Sequence, residues 1–387
     1  MWQATRRDHP LGRNCTSVCF VTVLVVGFLT PFPSPNWGWV TLVALIFCTT
    51  EDFRAALGRP LLWAYVGLAL LSSLWSPGHR TLEAALVLGA DFWLGLCLAR
   101  RYRASGVARL VLLALAFTLG LNLVAVFWLP AEGLSPNGQW KGLLPHKNAL
   151  GRLAGLAFLI ATLLPAHRLR LLYRIPVLVL AITMLIGSDS MTPTVAVCFC
   201  LLVELVVRGL RNPRLRLVTL LLALTTVAML VVNWKPGLNL LDRSPVLSGR
   251  VKIWSGSTRW ALESLWWGHG FSHVEPPAFE NTVHSHNGVL NLVVQLGIVG
   301  CFLLLWDGAW CVLAGLRQMW GRPLDFHLAA PLLYLLFYFL MNLVEVSPPH
   351  AGHFSEWILY VAATQLLVQR FNELEPSASP NTDSSEQ

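Results

Sequence analysis

Residues His284-Ser285-His286-Asn287-Gly288-Val289-Leu290-Asn291-Leu292-Val293-Val294-Gln295-Leu296-Gly297-Ile298-Val299-Gly300 open as a polar cluster and become, within a few positions, a helix apolar enough for lipid. A histidine pair where a helix enters a bilayer lies at the water boundary, in reach of both a soluble and a lipid-borne reactant. On that helix Asn287, Asn291 and Gln295 fall at i, i+4 and i+8, on one face. Amides in hydrocarbon are costly unless they face protein or water, so this face is expected to look into a cavity. Gly297 and Gly300, three apart, would let a neighbouring helix backbone approach closely. The plainer reading makes His286 a helix cap and the amides a glue between helices.

The rest of the chain shares that character. Of 387 residues, 55% are hydrophobic and only 12% charged, far from a soluble average. Long uncharged runs recur as far as Leu367, so the expected fold is all-α, a single polytopic membrane domain over residues 1–371. The formal charge of +8 resides in arginines of short loops between apolar runs. These are topology signals rather than a surface for nucleic acid, and no nucleic-acid partner is expected. Seventeen tryptophans suit two interfacial belts. Cysteines such as Cys48, Cys97, Cys198, Cys200, Cys301 and Cys311 lie within apolar runs as small buried hydrophobes, and no C-x-x-C pair is present. Arg6, Arg7 and Arg13 precede an apolar run followed by Thr30-Pro31-Phe32-Pro33, which reads as an uncleaved first span.

Apolar runs at roughly 17–33, 37–50, 60–75, 82–99, 107–129, 148–166, 173–188, 192–208, 215–233, 287–314, 327–346 and 354–369 give about twelve spans. Arginine concentrates in alternate connections, among them Arg100, Arg101 and Arg103, then Arg168 and Arg170, then Arg211 and Arg214. The positive-inside rule then places both termini in the cytoplasm. Three segments fall on the outer side: 130–147, a large loop at 234–286 between the ninth and tenth spans, and 347–353. The tail at 372–387, with Glu373, Glu375, Asp383 and Glu386 and no base, is expected to be disordered.

Inside the large loop a helical pattern opens at Ser248-Gly249-Arg250 and continues to Trp267. Ile253, Trp254, Ala261, Leu262, Leu265 and Trp266 form one apolar arc, with Arg250, Lys252 and Arg259 adding charge, so this helix is expected to lie on the membrane surface. Helix N–H groups at Gly249-Arg250 together with the guanidinium suit a diphosphate. In the loop before it, Lys141, His146, Lys147 and Arg152 gather at a helix mouth, and Arg152 falls inside the span, where a cation faces a partner or a wet cavity.

Three motifs carry a resemblance. His286-Asn287, nine residues, then Gly297-x-x-Gly300 resembles the signature of the O-antigen ligase and O-antigen/exopolysaccharide repeat-unit polymerase superfamily. Gly249-Arg250-x-x-x-Trp254 is similar to what precedes that signature there, and His146-Lys147-Asn148-x-Leu150-Gly151 is similar to a segment of exopolysaccharide polymerases. Relatives carry Arg or Lys in the turn occupied here by Ser190-Met191-Thr192, so no phosphate contact is assigned to it. The resemblance implies a membrane glycosyltransferase that moves a glycan from an undecaprenyl diphosphate carrier onto lipid A–core or another carrier-linked glycan. Direct, inverting displacement without metal or other cofactor is implied as well.

That chemistry needs cations on the diphosphate and a base for the acceptor hydroxyl. A histidine titrating near neutrality suits the second task. His286 is the candidate base, with His284 in reserve and Asn287 or Glu280 orienting it; Arg250, Arg152, Lys147, Lys141 and His146 are the candidate diphosphate ligands. His284-x-His286 with His269, His273, His350 and His353 also raises a metal site, but no third ligand stands at a diagnostic spacing. A transporter or flippase for polysaccharide precursors is the competing class, with Asp91, Glu204, Asp307 and Glu345 as pathway residues. Against it, the dominant loop is external and no internal repeat is visible. A non-catalytic partner in glycan export would leave the histidine motif without a role.

Overall fold

The computed structural model describes residues 10–29, 58–78, 80–165, 170–211, 245–272, 287–319, 326–344 and 354–374. Among them every element is helical apart from an isolated bridge between Leu134 and Trp140. In chain order the helices are α1 (Pro10–Leu29), α2 (Pro60–Leu71), α3 (Thr81–Arg101), α4 (Ala104–Trp128), α5 (Lys147–Leu163), α6 (Leu171–Ser188), α7 (Met191–Arg211), α8 (Pro245–Glu263), α9 (Gly288–Met319), α10 (Phe326–Val344) and α11 (Phe354–Leu374). By length and composition α3, α4, α6 and the Gly288–Arg317 part of α9 can each cross a membrane, while shorter apolar helices occupy Ser17–Leu29, Pro60–Leu74, Met191–Val207 and Ala329–Leu343. The expected runs at 37–50 and 215–233 lie outside the described residues, so a count of twelve is not reached here.

Membrane character shows in what faces outward. Phe302, Trp306, Trp310 and Leu313 of α9, and Leu172, Val179 and Ile186 of α6, are large, apolar and exposed. In water such stripes would be a liability; against lipid chains they cost nothing. Polar contacts gather inside instead. Arg59, just ahead of α2, reaches Asp307 of α9 with Nη2–Oδ2 at 2.5 Å and Nε–Oδ1 at 3.3 Å, and its Nη1 donates to Gln365 Oε1 at 3.1 Å. Asp307, weighed above as a pathway residue, is thus held by a two-pronged pair between packed helices.

Two apolar cores divide the bundle. One joins α1, α3, α4, α5, α6, α7, α10 and α11 around residues such as Leu94, Leu115, Leu150, Ala157 and Ile358. The other joins α2, α3, α9, α10 and α11, and there Trp357 packs on Phe92 at 5.1 Å and on Tyr65 at 6.0 Å between ring centroids. The α3–α11 pair comes closest at Gly95, where an added Cβ would lie 2.6 Å from the Ile358 carbonyl oxygen.

Helix α9 differs from its expected form. It is broken at Gly297, whose φ of 65° and ψ of −171° are open to glycine almost alone. The break frees backbone groups that lipid could not satisfy. The turn after α8 takes them up. Val294 O and Gln295 O accept from His269 N and Gly270 N, both at 2.9 Å, and Ile298 N donates to Leu265 O at 2.8 Å. Gly297 therefore serves the approach of a loop, not of a neighbouring helix, and an added Cβ would overlap the Trp266 carbonyl. Gly300 faces Leu296 across the same break. Gly297→Ala should destabilise the protein by about 1–3 kcal/mol, read as a lower melting temperature in detergent; an unchanged melting temperature would contradict the clasp.

Two boundaries also move. Helix α8 stops at Glu263 rather than continuing to Trp267, because residues 264–267 turn back onto α9. The turn divides the expected arc, with Ala261 buried and Leu262 and Trp266 exposed. Helix α11 runs to Leu374, past the residue 372 at which the tail was expected to start.

Candidate functional site at the α9–α10–α11 end

The site is built where α5, α9 and α11 begin and α10 ends. His146 caps α5, its Nδ1 accepting from the Ala149 N–H at 3.2 Å. The connection before it is tied down: Asn122 Oδ1 accepts from Leu143 N at 2.8 Å, and Lys141 N donates to Gly133 O at 2.9 Å. Lys147 turns toward the α6–α7 connection, where its Nζ donates to Asp189 O at 3.0 Å and lies 3.9 Å from Asp189 Oδ2. Next to it Ser190 Oγ donates to Asn148 Oδ1 at 2.9 Å. So Lys147 and Asn148 hold Asp189 and Ser190, the start of the turn given no part on the ligand.

Arg152, one turn deeper, is buried and has its Nε 2.7 Å from Glu356 Oε1, with both side chains 8% exposed. A cavity with room for about one water, ≈ 10 Å³, lies between this pair and Tyr334, Tyr338 and Met341 of α10. The Tyr334 hydroxyl donates to the Glu356 carbonyl at 3.3 Å. Glu356 was not found by sequence reasoning. Its signal was an acid two residues into the last span, at a depth comparable with Arg152.

Asn287 sits ahead of α9 and uses both ends of its amide. Oδ1 accepts from Leu290 N at 2.9 Å, the bond of an N-cap, and Nδ2 donates to Leu343 O at 3.1 Å. One turn of α10 thereby joins the two halves of the site: Met341 lines the Arg152 cavity, Asn342 packs on Gly288, and Leu343 receives Asn287. The amide face of α9 is buried as well, Asn291 to 1% exposure and Gln295 to none. Gln295 Oε1 accepts from Ser272 N at 3.1 Å.

Other candidates separate from this group or fall beyond view. His269 belongs to the fold, its ring stacked on Trp260 at 4.5 Å and its Nε2 2.9 Å from Trp260 O. Gly249 and Arg250 lie in the first turns of α8. His273, Glu280, His284, His286, Glu345, His350 and His353 lie outside the described residues. Among the described residues no group of histidine, cysteine and acidic side chains is placed to hold a metal ion.

Fold and site together define an all-helical, multi-pass membrane protein with cations and amides gathered at one end of its bundle. The O-antigen ligase family model matches residues 176–305, about a third of the chain, taking in α8, the segment bearing His284 and His286, and the break at Gly297. No curated protein matches the chain. The match supports an O-antigen ligase-like family, and with it a ligase- or polymerase-type part in surface-polysaccharide biosynthesis in a bacterial membrane.

Proposed function

We propose that the protein transfers a glycan from an undecaprenyl diphosphate carrier to an acceptor, lipid A–core or a second carrier-linked glycan, on the periplasmic face of the inner membrane. The observation that carries this reading is the family match, which spans the Gly249-Arg250, His286-Asn287 and Gly297-x-x-Gly300 motifs in one stretch. In this reading His286 takes the proton of the acceptor hydroxyl as it attacks the anomeric carbon, and His284 stands in reserve. Asn287, next to His286 in sequence, fixes the first turn of α9. The leaving diphosphate is held by Arg250 with α8 N–H groups, and by Arg152, Lys147, Lys141 and His146 at the neighbouring mouth.

The cations differ in standing. Lys147 and Arg152 have acidic or carbonyl neighbours and lie outside the matched family segment, whereas Arg250 lies within it, so Arg250 is assigned the main diphosphate contact. Arg250→Ala should lower the affinity for undecaprenyl diphosphate at least tenfold, the weight of one charge-assisted contact. Arg250→Lys should recover only part, since a point charge cannot reproduce a planar fork. Equal binding in wild type and Arg250→Ala would remove Arg250 from the site.

A further inference from the structure

The amide face of α9 leaves polar groups in the interior without partners among the described residues. Asn291 Nδ2 and Gln295 Nε2 are buried and meet no hydrogen-bond acceptor among the described residues; nor does Asn342 Oδ1, beside Gly288, meet a donor. The flanking helix α8 adds two more such groups, Trp254 Nε1 and Ser257 Oγ. It packs on α9 through Trp260 and Ala261 against Leu290, Val293 and Val294, one turn beyond Ser257. A buried donor with nothing to bond costs more than an apolar group of the same shape. Five on α8, α9 and the end of α10 need an explanation, and such violations of local rules mark functional sites.

The chemistry of the group narrows the ligand. Four members can donate hydrogen bonds, Asn342 Oδ1 and the Ser257 hydroxyl can accept, and none carries a charge. A diphosphate is held by cations; neutral amides, an indole N–H and a hydroxyl match the neutral, oxygen-rich surface of a sugar, whose hydroxyls both donate and accept. We infer that the Asn291–Gln295 face of α9, with Asn342 and the Trp254–Ser257 side of α8, is a subsite for a sugar residue of the transferred glycan. This rests on the glycan-transfer reading above and adds to it the residues that read the sugar. A site built to bond hydroxyls also discriminates, because a sugar lacking one leaves the protein group unpaired.

The test uses the full-length protein in proteoliposomes with a carrier-linked oligosaccharide as donor. Asn291→Leu removes the buried amide and keeps the volume, so its melting temperature should equal or exceed that of wild type. Its KM for the carrier-linked donor should rise about tenfold, the weight of one lost hydrogen bond, with kcat little changed. Affinity for undecaprenyl diphosphate without a sugar should stay at the wild-type value, because the amides touch glycan and not diphosphate. Asn291→Ala is measured beside it as a smaller variant and should show the same KM shift. An unchanged KM in both variants overturns the subsite. So does a fall of several degrees in melting temperature in both, which would mean that the chain itself satisfies the amide. If the wild-type protein transfers nothing, the proposed function falls and the subsite with it.

Discussion

His286→Ala is expected to lower glycan transfer by about 10²–10⁴, the usual worth of a positioned general base, with expression and melting temperature near wild type. The helix that follows it in sequence is capped by Asn287: Oδ1 of Asn287 takes the Leu290 N–H, and its Nδ2 holds the end of α10. Trimming the imidazole therefore leaves the cap of α9 intact. His284→Ala should reduce the rate less, and chelators should leave it unchanged, since neither role uses a metal. Transfer that survives in His286→Ala but is lost in His284→Ala or with a chelator would point to a bound metal instead.

The second large effect falls on stability. Arg152 and Glu356 are both buried and 2.7 Å apart, so removing either one strands a charge in the bundle. Glu356→Ala and Arg152→Ala should each destabilise by about 3–5 kcal/mol. The double replacement Arg152→Met/Glu356→Leu fills the same space without charge and should restore the melting temperature, because paired removal of a buried ion pair is often neutral. It should not restore affinity for undecaprenyl diphosphate if Arg152 also serves the donor. Wild-type affinity in the folded double variant would make the pair a purely structural tie.

What could be read in advance followed the range of the interactions. Apolar runs report burial or lipid contact directly, so α3, α4, α6 and α9 stand where the runs at 82–99, 107–129, 173–188 and 287–314 lie. Motif spacing set the α8 start at Ser248, three residues inside a helix that begins at Pro245, and put Asn287 at the head of α9. Partners far apart in the chain stayed hidden. Nothing in the neighbourhood of Arg152 names Glu356, and nothing around Arg59 names Asp307, because each pair is fixed only by how the helices assemble. Gly297 was visible but ambiguous. A glycine in an apolar helix can admit a neighbouring helix or permit a broken backbone, and only the return of residues 265–270 onto the break decides for the second. Lys147 shows the same limit, since its acceptor at Asp189 lies across a helix and a turn.

The most direct test of the account is transfer itself. Purified protein in proteoliposomes is given an undecaprenyl diphosphate-linked repeat unit together with lipid A–core or a second carrier-linked unit. Products are then read by mass spectrometry. The account predicts glycan joined to one of the two acceptors, with undecaprenyl diphosphate released in equal amount and no metal added. Donor recovered intact with both acceptors, from protein that is folded and correctly inserted, would contradict it.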